Sequence, residues 1–118
     1  SAPVLALSLS GFFAQRFAFL GFLPRKPGPM RAELAGFASS PYTLVIFESP
    51  FRLENLAKAA FDVLGPRRYA VCREMTKTFE QVVRGLLPEL PAPGEMPRKG
   101  ELTVVIEGIR RSRESEDA

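Results

Sequence analysis

Apolar positions recur along the chain with two periods, and the switches between them mark out the elements. In "RFAFLGFL" (16–23), Phe17, Phe19, Gly21 and Leu23 fall on one face of an extended segment, which predicts an aromatic strand closed by Pro24. "YTLVIF" (42–47) is an unbroken β-rich run, the pattern of an interior strand covered on both faces. The period then changes to that of a helix: Leu53, Leu56, Ala57, Ala60, Phe61 and Leu64 follow an i, i+3, i+4, i+7 stripe stopped by Gly65-Pro66. Ser49 is placed to cap this helix, with Pro50 at its first position. Met30, Leu34, Phe37 and Ala38 predict a helix over 30–38, weakened at Gly36 and preceded by a basic turn at 25–29. Further strands are expected over 68–75, 80–85 and 101–108, and one helical turn over 86–90 before the proline-rich loop. Ala2 to Leu9 reads as the tail of an apolar helix ended by Ser10-Gly11.

The order is helix, strand, helix, strand, helix and then three strands. An alternation that gives way to consecutive strands predicts an α/β domain, a mixed sheet of about five strands with helices packed on it. Residues 1–108 would form that domain and 109–118 a polar tail.

Charge and composition narrow the chemistry. Histidine is absent, which removes imidazole acid–base chemistry and histidine metal sites. Cys72 is the one cysteine, so no internal disulfide or cysteine zinc cluster is possible, and beside Ala70 and Val71 it reads as a small core residue rather than a nucleophile. The net charge of +3 is compatible with a nucleic-acid partner without requiring one. No apolar run approaches the roughly 20 residues of a bilayer span, and the start lacks a basic n-region, so a cytoplasmic protein without membrane or metal partners is expected. The chain opens without methionine, within helix-like sequence, which suggests a domain upstream.

Four motifs in order carry a resemblance: "SGFFAQRFAFLGFLPRK", "TLVIFESPFRL", "REMTKTFEQVVRG" and "KGELTVVIEG". Together they resemble the C-terminal half of the ribosomal small-subunit RNA (cytidine-2′-O)-methyltransferases of the tetrapyrrole methylase superfamily. The resemblance covers residues 1–108. It implies a two-domain enzyme, inactive as this portion alone, that holds S-adenosylmethionine in the cleft between its own N-terminal domain and this one. Matched by motif, the donor contacts would be Ser1, Ala2, Glu48, Ser49, Arg73, Glu74, Met75, Thr76, Gly100 and Glu101. Small-subunit rRNA would be the substrate, with Arg25, Lys26, Arg52, Lys77 and Arg84 on its phosphates, and a homodimer is expected. Where the family has Ser-Pro-His-Arg-Leu, this chain has Phe51 in place of the histidine, so no imidazole acts there.

Each of these positions also has a plainer reading. Glu48 either meets donor or substrate, with a catalytic role as its furthest use, or pairs with Arg52 or Arg73 as a structural salt bridge. The basic doublets, Arg67-Arg68 among them, are solvated loops by default. Phe12, Phe13 and Phe17 would stack bases or, more simply, pack in the core or at a domain interface. Two other functions stay open: a superfamily methylase acting on a tetrapyrrole or other small substrate, and a non-catalytic dimerisation or RNA-docking domain that uses "VVIEG" as an interface strand.

Overall fold

The computed structural model of the chain describes residues 6, 10, 11, 16–73, 81–92, 94, 95 and 100–109. Its elements are β1 (Phe17–Phe22), α1 (Pro27–Ala35), β2 (Thr43–Glu48), a 3-10 turn (Pro50–Arg52), α2 (Leu53–Leu64), β3 (Arg68–Arg73), β4 (Gln81–Leu86) and β5 (Leu102–Ile106). The strands form one sheet in the order β1-β2-β5-β3-β4. β1 and β2 are parallel, and β5 runs antiparallel to both β2 and β3. β4 pairs antiparallel with β3 at the far edge. The α/β class and the mixed five-stranded sheet are therefore as the sequence predicted.

Apolar burial explains the layering. Leu44 and Ile46 of β2, Val104 and Ile106 of β5, and Tyr69 and Val71 of β3 share one face, and α1 and α2 cover it with Met30, Leu34, Leu56 and Ala60. On the other face Val45, Ala70, Cys72 and Val105 meet Ala6, which is helical. Fully burying each such valine, leucine or isoleucine contributes about 1.5–3 kcal/mol. Cys72 is a buried core thiol, as read from its neighbours. The expected N-terminal helix otherwise lies outside the described residues.

Several local readings are corrected. α1 starts at Pro27, so Pro27-Gly28-Pro29 is its first turn rather than a loop; proline is pre-set for that position because the missing N–H would go unpaired there anyway. Ser49 makes no side-chain cap, and the chain enters α2 through the 3-10 turn, in which Arg52 N–H donates to Ser49 O at 3.0 Å. In α2, Phe61 is 37% exposed and Ala59 is buried in its place, because packing against α1 shifts the apolar stripe. β1 carries a bulge between Phe19 and Gly21, so its alternation breaks and Leu23 turns into the helix-covered core. Leu86 ends β4, and no helical turn follows it: Glu89 N–H closes a turn on Leu86 O at 2.8 Å.

The Arg67-Arg68 doublet is not a solvated loop. Arg67 is buried, and its guanidinium donates to Glu107 O at 3.0 Å and Ala38 O at 2.9 Å. Arg68 grips the Glu107 carboxylate with two hydrogen bonds, at 2.9 and 2.5 Å. Burial pushes Arg67 below the ordinary arginine value, partly offset by the Glu107 charge, whereas the hydrogen bond with Glu107 pushes Arg68 up. Beside them, Tyr69 donates to Glu89 O and lies over Gly85, where an added Cβ would come within 2.6 Å of the phenol oxygen. Burial, then the charges of Glu89 and Glu95, push the phenol up to about 12.

Two outcomes follow. Arg67→Met leaves two inward carbonyls without their donor and should cost about 1–3 kcal/mol in urea unfolding. Arg68→Met, whose side chain is 57% exposed in its ion pair, should cost less than about 1 kcal/mol; equal losses would contradict this ranking. For Tyr69, the unfolded phenol loses its proton near its ordinary value and the folded one only near 12, so the fold holds the extra proton in between. Its contribution to stability is therefore complete below about pH 10 and falls between about pH 10 and 12, by on the order of 2 kcal/mol. Unfolding of the wild type and Tyr69→Phe across that range should show the drop in the wild type alone.

Candidate functional site

All of the sheet's parallel strands point their C-terminal ends to one edge, where β5 begins. Glu48 at the end of β2 pairs with Leu102, and Cys72, next to the end of β3, pairs with Thr103. Glu48, Ser49, Arg73, Gly100 and Glu101, gathered from three separate motifs, consequently lie along the same edge. Gly100 has φ +84, a conformation that a side chain would strain, and a Cβ there would meet Arg73 Nε at 3.6 Å. The loop into β5 thus lies against the Arg73 guanidinium. Ser1, Ala2, Glu74, Met75, Thr76 and Lys77 lie outside the described residues, as do Phe12 and Phe13.

Beside this edge is an open pocket of about 320 Å³, lined by Phe22, Leu23, Arg25, Glu48, Ser49 and Arg52. The β1 bulge brings Phe22 and Leu23 there. Neither residue is visible as a site residue in the sequence, because each reads simply as the end of an apolar strand. Phe22 is 63% exposed and its ring lies 5.5 Å from that of Phe47. The opposite wall is the turn into α2.

Glu48 is 6% exposed, and its Oε1 has two partners: Ser49 N–H at 2.9 Å and Arg52 Nε at 3.7 Å. The salt bridge anticipated with Arg52 or Arg73 is with Arg52. The same arginine reaches across the pocket, donating from Nη2 to Arg25 O at 2.7 Å. It thereby ties the β1–α1 loop to the β2–α2 turn. Glu48 Oε2 has no hydrogen-bond partner among the described residues, so the carboxylate keeps one accepting oxygen in a pocket that also holds two guanidinium groups. Phe51, in the same turn, is 76% exposed and packs into no core.

The five cations singled out in the sequence do not form one cluster. Arg25, Lys26 and Arg52 lie near the pocket, and Arg25 and Arg52 line it. Arg84 is mid-strand in β4, opposite Ala70, and its Nε donates to Ser10 O at 3.3 Å on the sheet's other face. "VVIEG" is not an edge: β5 is paired on both sides, so the interface-strand reading fails on backbone hydrogen bonding. Glu48→Gln keeps an acceptor for Ser49 N–H and loses only a long ion pair, so it should cost less than about 1 kcal/mol. Glu48→Ala removes both and should cost about 1–3 kcal/mol. Urea titrations of the two variants that gave equal losses would assign the stabilisation to the ion pair instead.

Comparison with known proteins places this geometry in a family. The chain is 47% identical over 109 residues to "Ribosomal RNA small subunit methyltransferase I" of Mycobacterium tuberculosis, covering 92% of this chain and 38% of that protein. It is 37% identical over 118 residues to the protein of the same name in Halalkalibacterium halodurans, covering 99% of this chain and 41% of the relative. For the Bacillus subtilis protein of that name the figures are 34% identity, 99% and 40%. The chain thus spans about two fifths of the length of these relatives. The family profile described as "Tetrapyrrole (Corrin/Porphyrin) Methylases" matches residues 1–91, through β1, β2, α2 and β3 and so across most of the strand-end edge; on that match and those identities, the chain belongs to the tetrapyrrole methylase family.

Proposed function

We propose that this chain forms one wall of a cleft in which S-adenosylmethionine and small-subunit ribosomal RNA meet, in a cytoplasmic enzyme that methylates a ribose 2′-oxygen. The observation that carries the reading is the convergence of Glu48, Ser49, Arg73, Gly100 and Glu101 on one sheet edge beside an open pocket. Membership of a methylase family and the printed names of the relatives supply the reaction class.

The residues present fit such a donor. Phe22 and Leu23 offer an apolar wall for a planar base, Glu48 Oε2 can accept from ribose hydroxyls, and the Ser49 hydroxyl, which caps no helix, adds a further polar group. S-adenosylmethionine supplies an electrophilic methyl group with a neutral thioether as leaving group. The protein's part is therefore to align the two partners and exclude water, which needs neither histidine nor a reactive thiol. Glu48 orients rather than abstracts: a ribose hydroxyl is far less acidic than a carboxylic acid, so its proton leaves late. On the same reading Ser1, Ala2 and residues 74–76 complete the donor contacts, and the facing wall comes from the upstream domain expected above.

The test uses the protein as encoded by its gene, incubated with small ribosomal subunits and methyl-labelled S-adenosylmethionine. Label should map to a 2′-oxygen. In Glu48→Ala the rate should drop roughly 10- to 100-fold, the worth of one hydrogen bond to a charged group. Label on a base, or none on RNA with donor binding intact, would overturn the reading.

A further inference from the structure

A second concavity, of about 70 Å³, lies between α1 and α2, where Arg25, Arg31, Asn55 and Lys58 surround a floor of Met30 and Ala59. The two helices build it by spacing alone. Pro27, Met30 and Arg31 are i, i+3, i+4 neighbours on α1, and Asn55, Lys58 and Ala59 are the same on α2. No described residue lining it is acidic, although Glu54 adjoins Asn55 in sequence. Arg25, Arg31 and Lys58 each lack an ion pair within 4.0 Å among the described residues. Three cations without an ion pair among the described residues, set around one small concavity, repel one another, and an anion relieves that cost. Arg25 lines both this groove and the strand-end pocket, so one cation links the two.

We propose that this groove binds the phosphodiester backbone of the RNA substrate, with Arg31, Lys58 and the Asn55 amide as contacts that lead the strand to the pocket. The inference rests on the RNA reading of that pocket. It adds three residues, from two helices, that no motif marks. The contacts are to phosphate, so they set affinity and register and carry no sequence preference. The concavity is small and ringed by two guanidinium groups, an ammonium and an amide, donors that suit a phosphate.

The experiment measures binding of a short fluorescent single-stranded RNA by the protein as encoded, between roughly 50 and 200 mM salt, for wild type and Arg31→Gln/Lys58→Gln. Each lost contact should flatten the log K against log salt slope by about 0.7, so the double variant should lose about 1.4 in slope and roughly tenfold in affinity near 0.15 M salt. Arg31→Lys/Lys58→Arg, which keeps both charges, should keep the slope. Arg68→Gln, at the opposite end of the sheet, should leave it unchanged. A double variant with wild-type slope, an equal loss in Arg68→Gln, or a wild type that binds no RNA would overturn the groove. Methyl transfer is scored separately on small subunits. Label intact with an unchanged slope sinks the groove alone; a flattened slope without label on any ribose supports the groove and sinks the ribose-methylation reading.

Discussion

The insertion of β5 between β2 and β3 is the constraint on which the architecture depends. β2 and β3 are not paired to each other; each is held by β5, through five residue pairs on one side and four on the other. Every residue of β5 is buried, so the strand nearest the end of the chain joins the two halves of the sheet by backbone hydrogen bonds and apolar contact together. Because β5 runs against both neighbours, its N-terminal end must sit where their C-terminal ends finish. That one topological fact brings Gly100 and Glu101 to Glu48 and Arg73, although 27 residues separate Gly100 from Arg73 in the sequence.

The two ends of the sheet are finished differently. At the β5 C-terminal end, Arg67, buried, and Arg68, half-exposed, bond to Glu107 and Ala38, beside the Tyr69–Glu89 hydrogen bond. At the opposite end, Glu48 and Arg52 hold the pocket's two walls, yet among the described residues one Glu48 oxygen and the Arg25 charge are uncommitted. A polar cluster whose groups bond one another stabilises, whereas one with an uncommitted acceptor is ready for a ligand. The asymmetry agrees with the general tendency of α/β sheets to bind ligands beyond the carboxyl ends of their strands.

Arg52 illustrates why the structural and functional readings of Glu48 are compatible. The guanidinium takes one face of the carboxylate and at the same time draws the β1–α1 loop inward through Arg25 O. With the Ser49 N–H bond to the same Oε1, the ion pair sets the direction of the remaining oxygen. On the reading proposed above, a donor's hydroxyls would meet a pre-oriented acceptor, and little ordering would remain for binding to accomplish. Methyl transfer, with its neutral leaving group, rewards this kind of fixed geometry more than it rewards a strong acid or base.

How much was legible in the sequence follows from which forces are local. The order of strands and helices from β1 onward, the interior position of β2, the Gly65 stop and the burial of Cys72 all come from periodicity and short-range chemistry, and all appear in the structure. Of the ten donor positions that the motif resemblance implies, the five that are described, Glu48, Ser49, Arg73, Gly100 and Glu101, lie along one edge of the sheet. The misreadings arise where tertiary contacts decide. Arg67 looked like a loop cation because nothing near it in sequence announces Glu107, 40 residues on. The β1 bulge, invisible in an alternating pattern, sends Leu23 to the core and Phe22 to the pocket. Arg31 and Lys58 carry no signal alone, since an isolated cation on a helix is usually solvated. Only the packing of α1 on α2 makes them neighbours, and a charge pattern created by packing has to be read from the fold.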